Sequence, residues 1–172
     1  MQKLGAKDSA TAFKFTANAP AAHLVEGESK YRLSEKVEGE TPCWAWREGN
    51  TIYCYAKGFT DSNKKLPLKS ADHLFYYCST LEEIDLHLFD TSKCTDMGAM
   101  FFDCYAVKEL DVTGFNTSNV TNMENMFLSC KALETIDVTG FDTSKIKNYS
   151  EKYGGYTWIH SNVLRLHKFK RS

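Results

Sequence analysis

The stretch that decides the fold is residues 100–146, MFFDCYAVKELDVTGFNTSNVTNMENMFLSCKALETIDVTGFDTSKI. It contains the same unit twice, because aligning residues 101–126 with 127–152 gives 11 identities over 26 positions without a gap. A weaker copy precedes it, so that Phe75, Phe101 and Phe127 recur at an interval of 26 residues. A period of roughly 20–50 residues predicts a repeat architecture, in which each unit buries its apolar face only against its neighbours.

Each unit predicts a strand, a turn and a helical turn. The pattern L-x-x-[IL]-D-[LV] has its apolar residues at the offsets of a leucine-rich-repeat strand, which buries Ile84, Leu110 and Ile136 and turns the aspartates outward. The following [DN]-T-S triplets are typical of turns in which the first side chain accepts a hydrogen bond from the amide two residues on. After a second short extended piece, ENMFLSC at residues 124–130 predicts one helical turn.

The flanks of the repeats predict capping structures. Residues 42–57, PCWAWREGNTIYCYAK, alternate around Glu48-Gly49-Asn50 and predict a β-hairpin. One face of this hairpin is expected to cover the first repeat, and it would carry Trp44, Trp46, Ile52 and Cys54. Residues 12–17, AFKFTA, predict another short strand, whereas residues 18–41 carry no clear pattern.

The C-terminal segment departs from the repeat. After Glu151 the chain has five Lys or Arg and no acidic residue, and Leu164 and Leu166 alternate with basic residues as in a capping strand. Such a tail could bind nucleic acid, an anionic surface or an acidic partner. No nucleic-acid-binding motif surrounds these charges, which favours a cap or docking segment.

The predicted fold class is therefore an α/β repeat, a short leucine-rich-repeat solenoid of about three coils. It divides the chain into N-terminal strands and a β-hairpin cap at 1–69, the solenoid at 70–151, and a basic C-terminal cap or tail at 152–172.

Six cysteines occur in the chain. Cys78, Cys104 and Cys130 share the repeat interval and are predicted to form a buried, reduced and metal-free ladder, because equivalent positions about 4.8 Å apart with parallel Cβ vectors suit neither a disulfide nor a zinc site. Cys94 is expected in the core. Cys43 and Cys54 lie on opposite arms of the hairpin and could pair if the protein is exported, although their offsets do not place them directly opposite.

The sequence predicts no enzyme, no cofactor and no metal site. The five histidines occupy no repeated position, and no nucleophile, phosphate-loop or dinucleotide motif is present. The net charge is −1, which gives no reason to expect nucleic acid as a partner. The longest apolar runs fall far short of the roughly 18 residues of a membrane span, and the N-terminus carries no signal-peptide pattern.

The series MFxxCxxLxxIDVxxFxTSxVxxM, best matched from Met100 to Ile146, closely resembles the BspA-like leucine-rich-repeat surface proteins. The resemblance implies a surface-exposed array that adheres to host proteins or other cells and has no catalytic role. The leading expectation is a non-enzymatic protein-recognition or adhesion module at a cell surface. The alternative is a structural subunit of a larger assembly, such as a phage virion or surface layer, and a weaker option is an intracellular interaction module.

Two sets of charged residues are the candidate partner-binding sites. The outward aspartates and their neighbours would form an acidic ladder that attracts a basic partner, and the assembly alternative would use the basic tail. The aspartates could equally be a solvated surface whose carboxylates accept nearby hydrogen bonds. The candidates are Glu83, Asp85, Glu109, Asp111 and Asp137, together with Arg165, Lys168, Lys170 and Arg171.

Overall fold

The computed structural model describes residues 9–19, 30–32, 43–56, 65–146, 149–150 and 155–156. The strands in these ranges form a five-stranded mixed sheet in the order β2-β3-β4-β1-β6 and two two-stranded sheets, β5-β7 and β8-β9. Their bounds are β1 Ala12–Phe15, β2 Lys30–Arg32, β3 Cys43–Glu48, β4 Thr51–Ala56, β5 Leu66–Pro67, β6 Glu83–Ile84, β7 Phe89–Asp90, β8 Tyr149–Ser150 and β9 Gly155–Tyr156.

The predicted hairpin is confirmed as the antiparallel pair β3-β4, which is closed by the two residues Gly49 and Asn50. Gly49 has φ of 56°, the left-handed conformation that a type II′ turn requires at its first central residue and that glycine adopts without steric cost.

The predicted distribution of the hairpin side chains is wrong. The register pairs Trp46 with Tyr53 and Ala45 with Cys54, so the tryptophans share a face with tyrosines and not with Ile52 and Cys54. The rings of Trp46 and Tyr53 accordingly stack with centroids 5.7 Å apart. The cause is the turn length, because a two-residue turn in place of a three-residue one shifts the register by one residue and moves every side chain of one arm to the other face.

Strand β1 joins the hairpin to the first repeat and confirms the strand predicted at 12–17. It pairs in parallel with β4 on one side and with β6, which belongs to the first repeat, on the other. Phe13 of β1 is fully buried, and its ring meets that of Phe75 edge-on at 5.1 Å. The hairpin and the repeats therefore share one hydrophobic core.

The predicted α/β leucine-rich-repeat solenoid is wrong. The described residues contain no helix, and their main sheet is small and mixed. Only the first repeat contributes its L-x-x-I segment to a strand, as β6, whereas residues 110–112 and 136–138 lie outside every strand in the described part of the chain. In the described residues, this repeat therefore does not form a stack of coils that each contain a strand and a helix.

A ribbon of turns stands where a helix was expected. We call residues 71–78, 97–104 and 123–130 the turn ribbon. Within each segment, amides donate to the carbonyl three residues back, as from Phe102 to Ala99 at 3.1 Å. Alternate amides donate instead to the next segment, as from Phe75 to Met100 at 2.8 Å and from Phe101 to Met126 at 2.9 Å.

The backbone conformation of the turn ribbon explains the missing helix. Two residues of each segment, four apart, adopt the left-handed region with φ between 48° and 62°: His73 and Tyr77, Ala99 and Asp103, and Asn125 and Ser129. A left-handed residue every four positions interrupts the i to i−4 hydrogen bonds of an α-helix. None of these residues is glycine. In the first two segments, hydrogen bonds from their own amides to the next segment maintain this unfavourable conformation.

The predicted buried ladders are confirmed. The rings of Phe75, Phe101 and Phe127 stack almost parallel with centroid separations of 5.6 Å at both steps, and all three are at most 2% exposed. Ile84, Leu110 and Ile136 are buried, as are the cysteines at 78, 94, 104 and 130. The repeat thus builds a layered core even though its backbone differs from the predicted one.

The predicted triplet turns are also confirmed. The side chains of Asp90, Asn116 and Asp142 each accept a hydrogen bond from the amide two residues on, at 2.9, 3.0 and 2.9 Å. The threonine of the triplet extends this pattern, since the buried Thr117 hydroxyl accepts from the Asp142 amide at 2.7 Å and lies 3.1 Å from its carbonyl. One side chain thereby joins two consecutive repeats.

Candidate functional site

The turn ribbon carries an aromatic cluster on its outer side. In each segment, the phenylalanine that recurs in every repeat points into the core, and the residue after it points outward. Tyr76 and Phe102 occupy this outward position in consecutive segments, and their rings stack at 5.1 Å. Tyr77 packs against both rings, at 4.5 Å from Tyr76 and 5.6 Å from Phe102, and His73 lies 4.6 Å from Tyr76.

Tyr77 of this cluster and Tyr105 are exposed, whereas Tyr76 is half-buried. Tyr77 is 40% exposed and the nearby Tyr105 is 37% exposed, which makes them the most exposed large hydrophobic residues in the described ranges. Large rings that pack against one another and still reach solvent are enriched in protein interfaces, because they give a large contact area at a low cost in side-chain entropy.

Asp103 lies close enough to two of the tyrosines to influence their titration. The residue is buried, at 5% exposure, and it acts on Tyr77 and Tyr105. The phenol of Tyr76 and this carboxylate raise the pKa of Tyr77. Desolvation and the hydrogen bond to Asp103 raise the pKa of Tyr105. Lys131 lies over the ring of Tyr105, with Nζ 4.5 Å from the centroid, in a cation–π contact.

A shallow depression of about 200 Å³ opens beside the aromatic cluster. Its walls combine rings with polar side chains, which are Asp72, His73, Tyr76, Phe102, Asn122 and Glu124. Gly98 also lines the depression, and a Cβ added there would lie 2.8 Å from Asn122 Nδ2 and 3.0 Å from Asp72 Oδ1. We call the aromatic cluster and this depression together the turn face.

None of the sequence-predicted acidic residues lines the depression. Glu83 is on β6 and forms an ion pair with Lys14 at 2.9 Å. Asp85 is half-buried, accepts from the amide of Phe15 at 3.2 Å and contacts the His87 ring. Local partners therefore engage these two carboxylates, and Glu109 is exposed on the second repeat.

Asp111 and Asp137 are exposed turn residues. Each accepts hydrogen bonds from the amide and hydroxyl of the threonine two residues on, at 3.1 and 2.6 Å for Asp111 and at 2.9 and 2.7 Å for Asp137. The bonds from Thr113 lower the pKa of Asp111, and they outweigh the negative charge of Asp137, which acts in the opposite direction. These hydrogen bonds are the ones expected if the aspartates form a solvated surface, which was the alternative to a partner-binding surface.

The basic residues among the predicted sites lie outside the described residues, as does the capping strand predicted around Leu164 and Leu166. These basic residues are Arg165, Lys168, Lys170 and Arg171. Over the ranges that the structure covers, no group of three His, Cys, Asp or Glu side chains is arranged to hold a metal ion. No helix in the same ranges has the length and apolarity needed to cross a membrane.

The family model described as "Mycoplasma protein of unknown function, DUF285" matches residues 68–166, more than half of the chain. The chain belongs to this family. The part matching DUF285 begins just before the first segment of the turn ribbon and includes the whole turn face. No curated protein and no solved structure matches the chain.

Reasoning from the sequence missed the turn face of this DUF285 chain. Its aromatic residues fill the two variable positions of F-x-x-C, where only the phenylalanine and cysteine repeat. Two stretches of the sequence could have indicated this cluster. In FYYC at 75–78 and FFDC at 101–104, aromatic residues occupy variable positions of a predicted helical turn. That these side chains point outward and stack across repeats depends on the turn ribbon, which the sequence did not reveal.

Proposed function

We propose that this protein is a non-enzymatic recognition or adhesion module, of the BspA-like surface-protein type, that binds a protein partner through the turn face. The observation that carries the proposal is the exposed aromatic cluster beside a depression lined with carboxylates. Aromatic rings are enriched in protein interfaces, and charges that complement those of a partner contribute specificity. The resemblance of the repeat to BspA-like proteins adds support, and we infer from it that the proposed activity is at a cell surface.

The proposed partner presents a lysine or arginine side chain to the depression. Asp72 and Glu124 provide negative charge there, and Asp72 is 42% exposed at its side chain. The rings of Tyr76 and Phe102 border the same space, and aromatic rings attract cations through their quadrupole. Exposed charges contribute more to association rate and to salt dependence than to affinity, so the rings are expected to supply most of the binding energy.

The proposal is tested with synthetic peptides that carry one arginine or one lysine between glycine and serine residues, and with a glutamine peptide as the control. Binding is followed by chemical-shift changes in the full chain. The expected result is a set of shifts at Tyr76, Gly98 and Glu124 for the cationic peptides only, weakened at high salt.

Variants separate the turn face from the other candidate surfaces. Phe102→Ala and Glu124→Gln are expected to abolish the peptide-induced shifts while the fold is retained. Asp111→Lys, which changes the predicted acidic surface, is the matched control and should leave them intact. Loss of binding with Asp111→Lys alone would transfer the site to that surface, and loss only on truncation after Asn162 would favour the assembly role of the basic tail. Either result contradicts the proposal.

A further inference from the structure

We infer that Cys43 and Cys54 form a disulfide that joins β3 to β4, and that the other four cysteines of the chain remain thiols. This inference is independent of the proposed function, since it concerns the hairpin and not the turn face.

The geometry of the hairpin brings the two sulfurs together. Cys54 pairs with Ala45 and Cys43 pairs with Ala56, so the two cysteines are diagonal neighbours on the inward face of the sheet. Their Sγ atoms are 3.2 Å apart, and both residues are at most 1% exposed. A movement of about 1 Å would reach the ~2.05 Å length of a disulfide bond. The sequence offsets showed only that the two cysteines are not directly opposite each other. Diagonal neighbours on one face of a sheet can also lie close together, and that is the case here.

The other four cysteines have different partners. Cys104 Sγ lies 3.2 Å from the Phe75 carbonyl oxygen, Cys130 Sγ lies 3.1 Å from that of Phe101, and each thiol donates to it. Cys94 and Cys78 likewise donate to the carbonyls of Asp96 and Tyr76. Burial raises the pKa of Cys78 to about 12, and that of Cys130 also to about 12, so neither forms an appreciable amount of the thiolate that attacks disulfides.

The same burial determines when the bond forms. In the folded protein, the hydrogen bond to Cys43 and the burial of the sulfur raise the pKa of the Cys54 thiol, so the completed core protects the reduced pair. The two cysteines are only 11 residues apart and lie in a local hairpin. Their sulfurs are therefore accessible when β3 and β4 have paired but β1 and the first repeat have not yet packed on them.

The reaction is thiol–disulfide exchange with a small oxidised disulfide such as oxidised glutathione. The thiolate of one cysteine attacks a sulfur of the acceptor, which releases one thiol and leaves a mixed disulfide. The thiolate of the second cysteine then attacks the protein sulfur of that mixed disulfide and releases the second thiol. The cysteines lose two protons and two electrons in total. The acceptor disulfide gains them and is reduced to two thiols.

The experiment refolds the reduced full chain in a mixture of oxidised and reduced glutathione, blocks free thiols with an alkylating agent after unfolding, and maps the peptides by mass spectrometry. The expected product carries a bond between Cys43 and Cys54 and alkylation at Cys78, Cys94, Cys104 and Cys130. Oxidised glutathione added to the already folded reduced chain should form the bond at least tenfold more slowly. Absence of the Cys43–Cys54 bond after refolding, a bond at any other cysteine, or equal rates in the two protocols would overturn the inference.

Variants and thermal unfolding give a second measurement. The cross-link closes a short loop, so the oxidised protein should melt roughly 5–10 °C higher than the reduced one. Cys94→Ala, the matched buried control, should keep that difference, whereas Cys54→Ala should abolish it. Equal melting temperatures for the oxidised and reduced wild-type chain would contradict a bond that fits the native hairpin.

Discussion

Phe101 and Phe102 are adjacent residues of the same type with opposite roles. Phe101 is fully buried between two other rings at 5.6 Å, whereas Phe102 is half-buried on the outer side of the turn ribbon and stacks on Tyr76 at 5.1 Å. The left-handed residues on either side of the pair, Ala99 and Asp103, maintain this separation of inner from outer positions. A shift of one position along the chain therefore decides whether a ring lies in the core or on the surface.

Truncation of the two rings should separate stability from recognition. Phe101→Ala removes a ring from the closed stack and should lower the free energy of unfolding by about 3–5 kcal/mol. Phe102→Ala should lower it by only about 1 kcal/mol, because the outer ring is already partly in contact with water. Urea denaturation measures both values. A loss of less than 1 kcal/mol for Phe101→Ala would mean that the ring is not part of the core.

At the scale of an element, the turn ribbon depends on glycine where two segments meet. Gly98 donates its amide to Asp96 Oδ1 at 2.8 Å, and the same oxygen accepts from Asn122 Nδ2 at 3.0 Å. An added Cβ would lie 3.1 Å from Asp96 Oδ1 and 2.8 Å from Asn122 Nδ2, so a methyl group there would displace these side chains and disturb their hydrogen bonds.

Gly98→Ala should therefore lower the free energy of unfolding by about 1–3 kcal/mol, the usual cost of overpacking. Gly140→Ala is the matched control, since a Cβ there meets nothing within 4 Å. The control should be neutral or slightly stabilising, because alanine restricts the unfolded chain more than glycine does. Chemical denaturation of the two variants side by side checks this prediction, and equal destabilisation would show that the crowding at Gly98 has no energetic consequence.

The turns in which an aspartate side chain accepts from the residue two positions on should make stability depend on pH. Hydrogen bonds from Ser92, Thr113 and Ser144 hold the pKa of Asp90, Asp111 and Asp142 below the ordinary value of 3.8. Because these pKa values are lower in the folded chain, the unfolded chain binds protons first as the pH falls. The contribution of the turns is thus complete above about pH 5 and is lost as the pH falls through the folded-state values.

Replacement of two of these carboxylates should flatten the acid limb of the stability curve. The double variant Asp111→Asn and Asp142→Asn keeps a side-chain acceptor at each turn but removes the titrating group. Its free energy of unfolding should fall less steeply than that of the wild type between about pH 5 and pH 3. Thermal melts across this range provide the measurement, and an unchanged slope would exclude these two groups as its source.

At the scale of the whole molecule, β1 makes the hairpin and the repeats one cooperative unit. Phe13 is buried between the two parts, and its ring contacts both Phe75 and Phe89 of the first repeat, at 5.1 and 6.4 Å. The strand that carries it hydrogen-bonds to β4 on one side and to β6 on the other. Neither part completes its core without this strand.

Phe13→Ala should therefore destabilise both parts together by about 3–5 kcal/mol. In a Trp158→Phe background, tryptophan fluorescence follows the hairpin through Trp44 and Trp46, and circular dichroism follows the backbone of the whole chain. The two unfolding transitions should shift to lower denaturant concentration and remain coincident. Separate transitions would show that the hairpin and the repeats fold independently. Lys14→Ala, which alters an exposed residue of the same strand, is the control and should change stability by less than about 1 kcal/mol.

The sequence by itself determined the features that depend on local chemistry or on periodicity. The repeat interval, the buried ladder of Phe75, Phe101 and Phe127, the triplet turns and the existence of the hairpin could all be predicted. A periodic set of apolar residues must be buried wherever its units stack, and an aspartate or asparagine can bond an amide two residues on in any fold. These predictions required no knowledge of which backbone atoms pair across the molecule.

Only the tertiary structure decided the rest. The left-handed conformation of Ala99 or Tyr77 is unfavourable for the isolated residue, and hydrogen bonds to a segment about one repeat further on maintain it. Because those partners are distant in the chain, local propensity predicted a helical turn, and with it the wrong fold class. Contacts between segments also determine three other features. These are the hairpin register, the approach of Cys43 to Cys54 and the outward stacking of Tyr76 on Phe102. Each depends on which segments meet in space, and that is settled by the packing of the whole core.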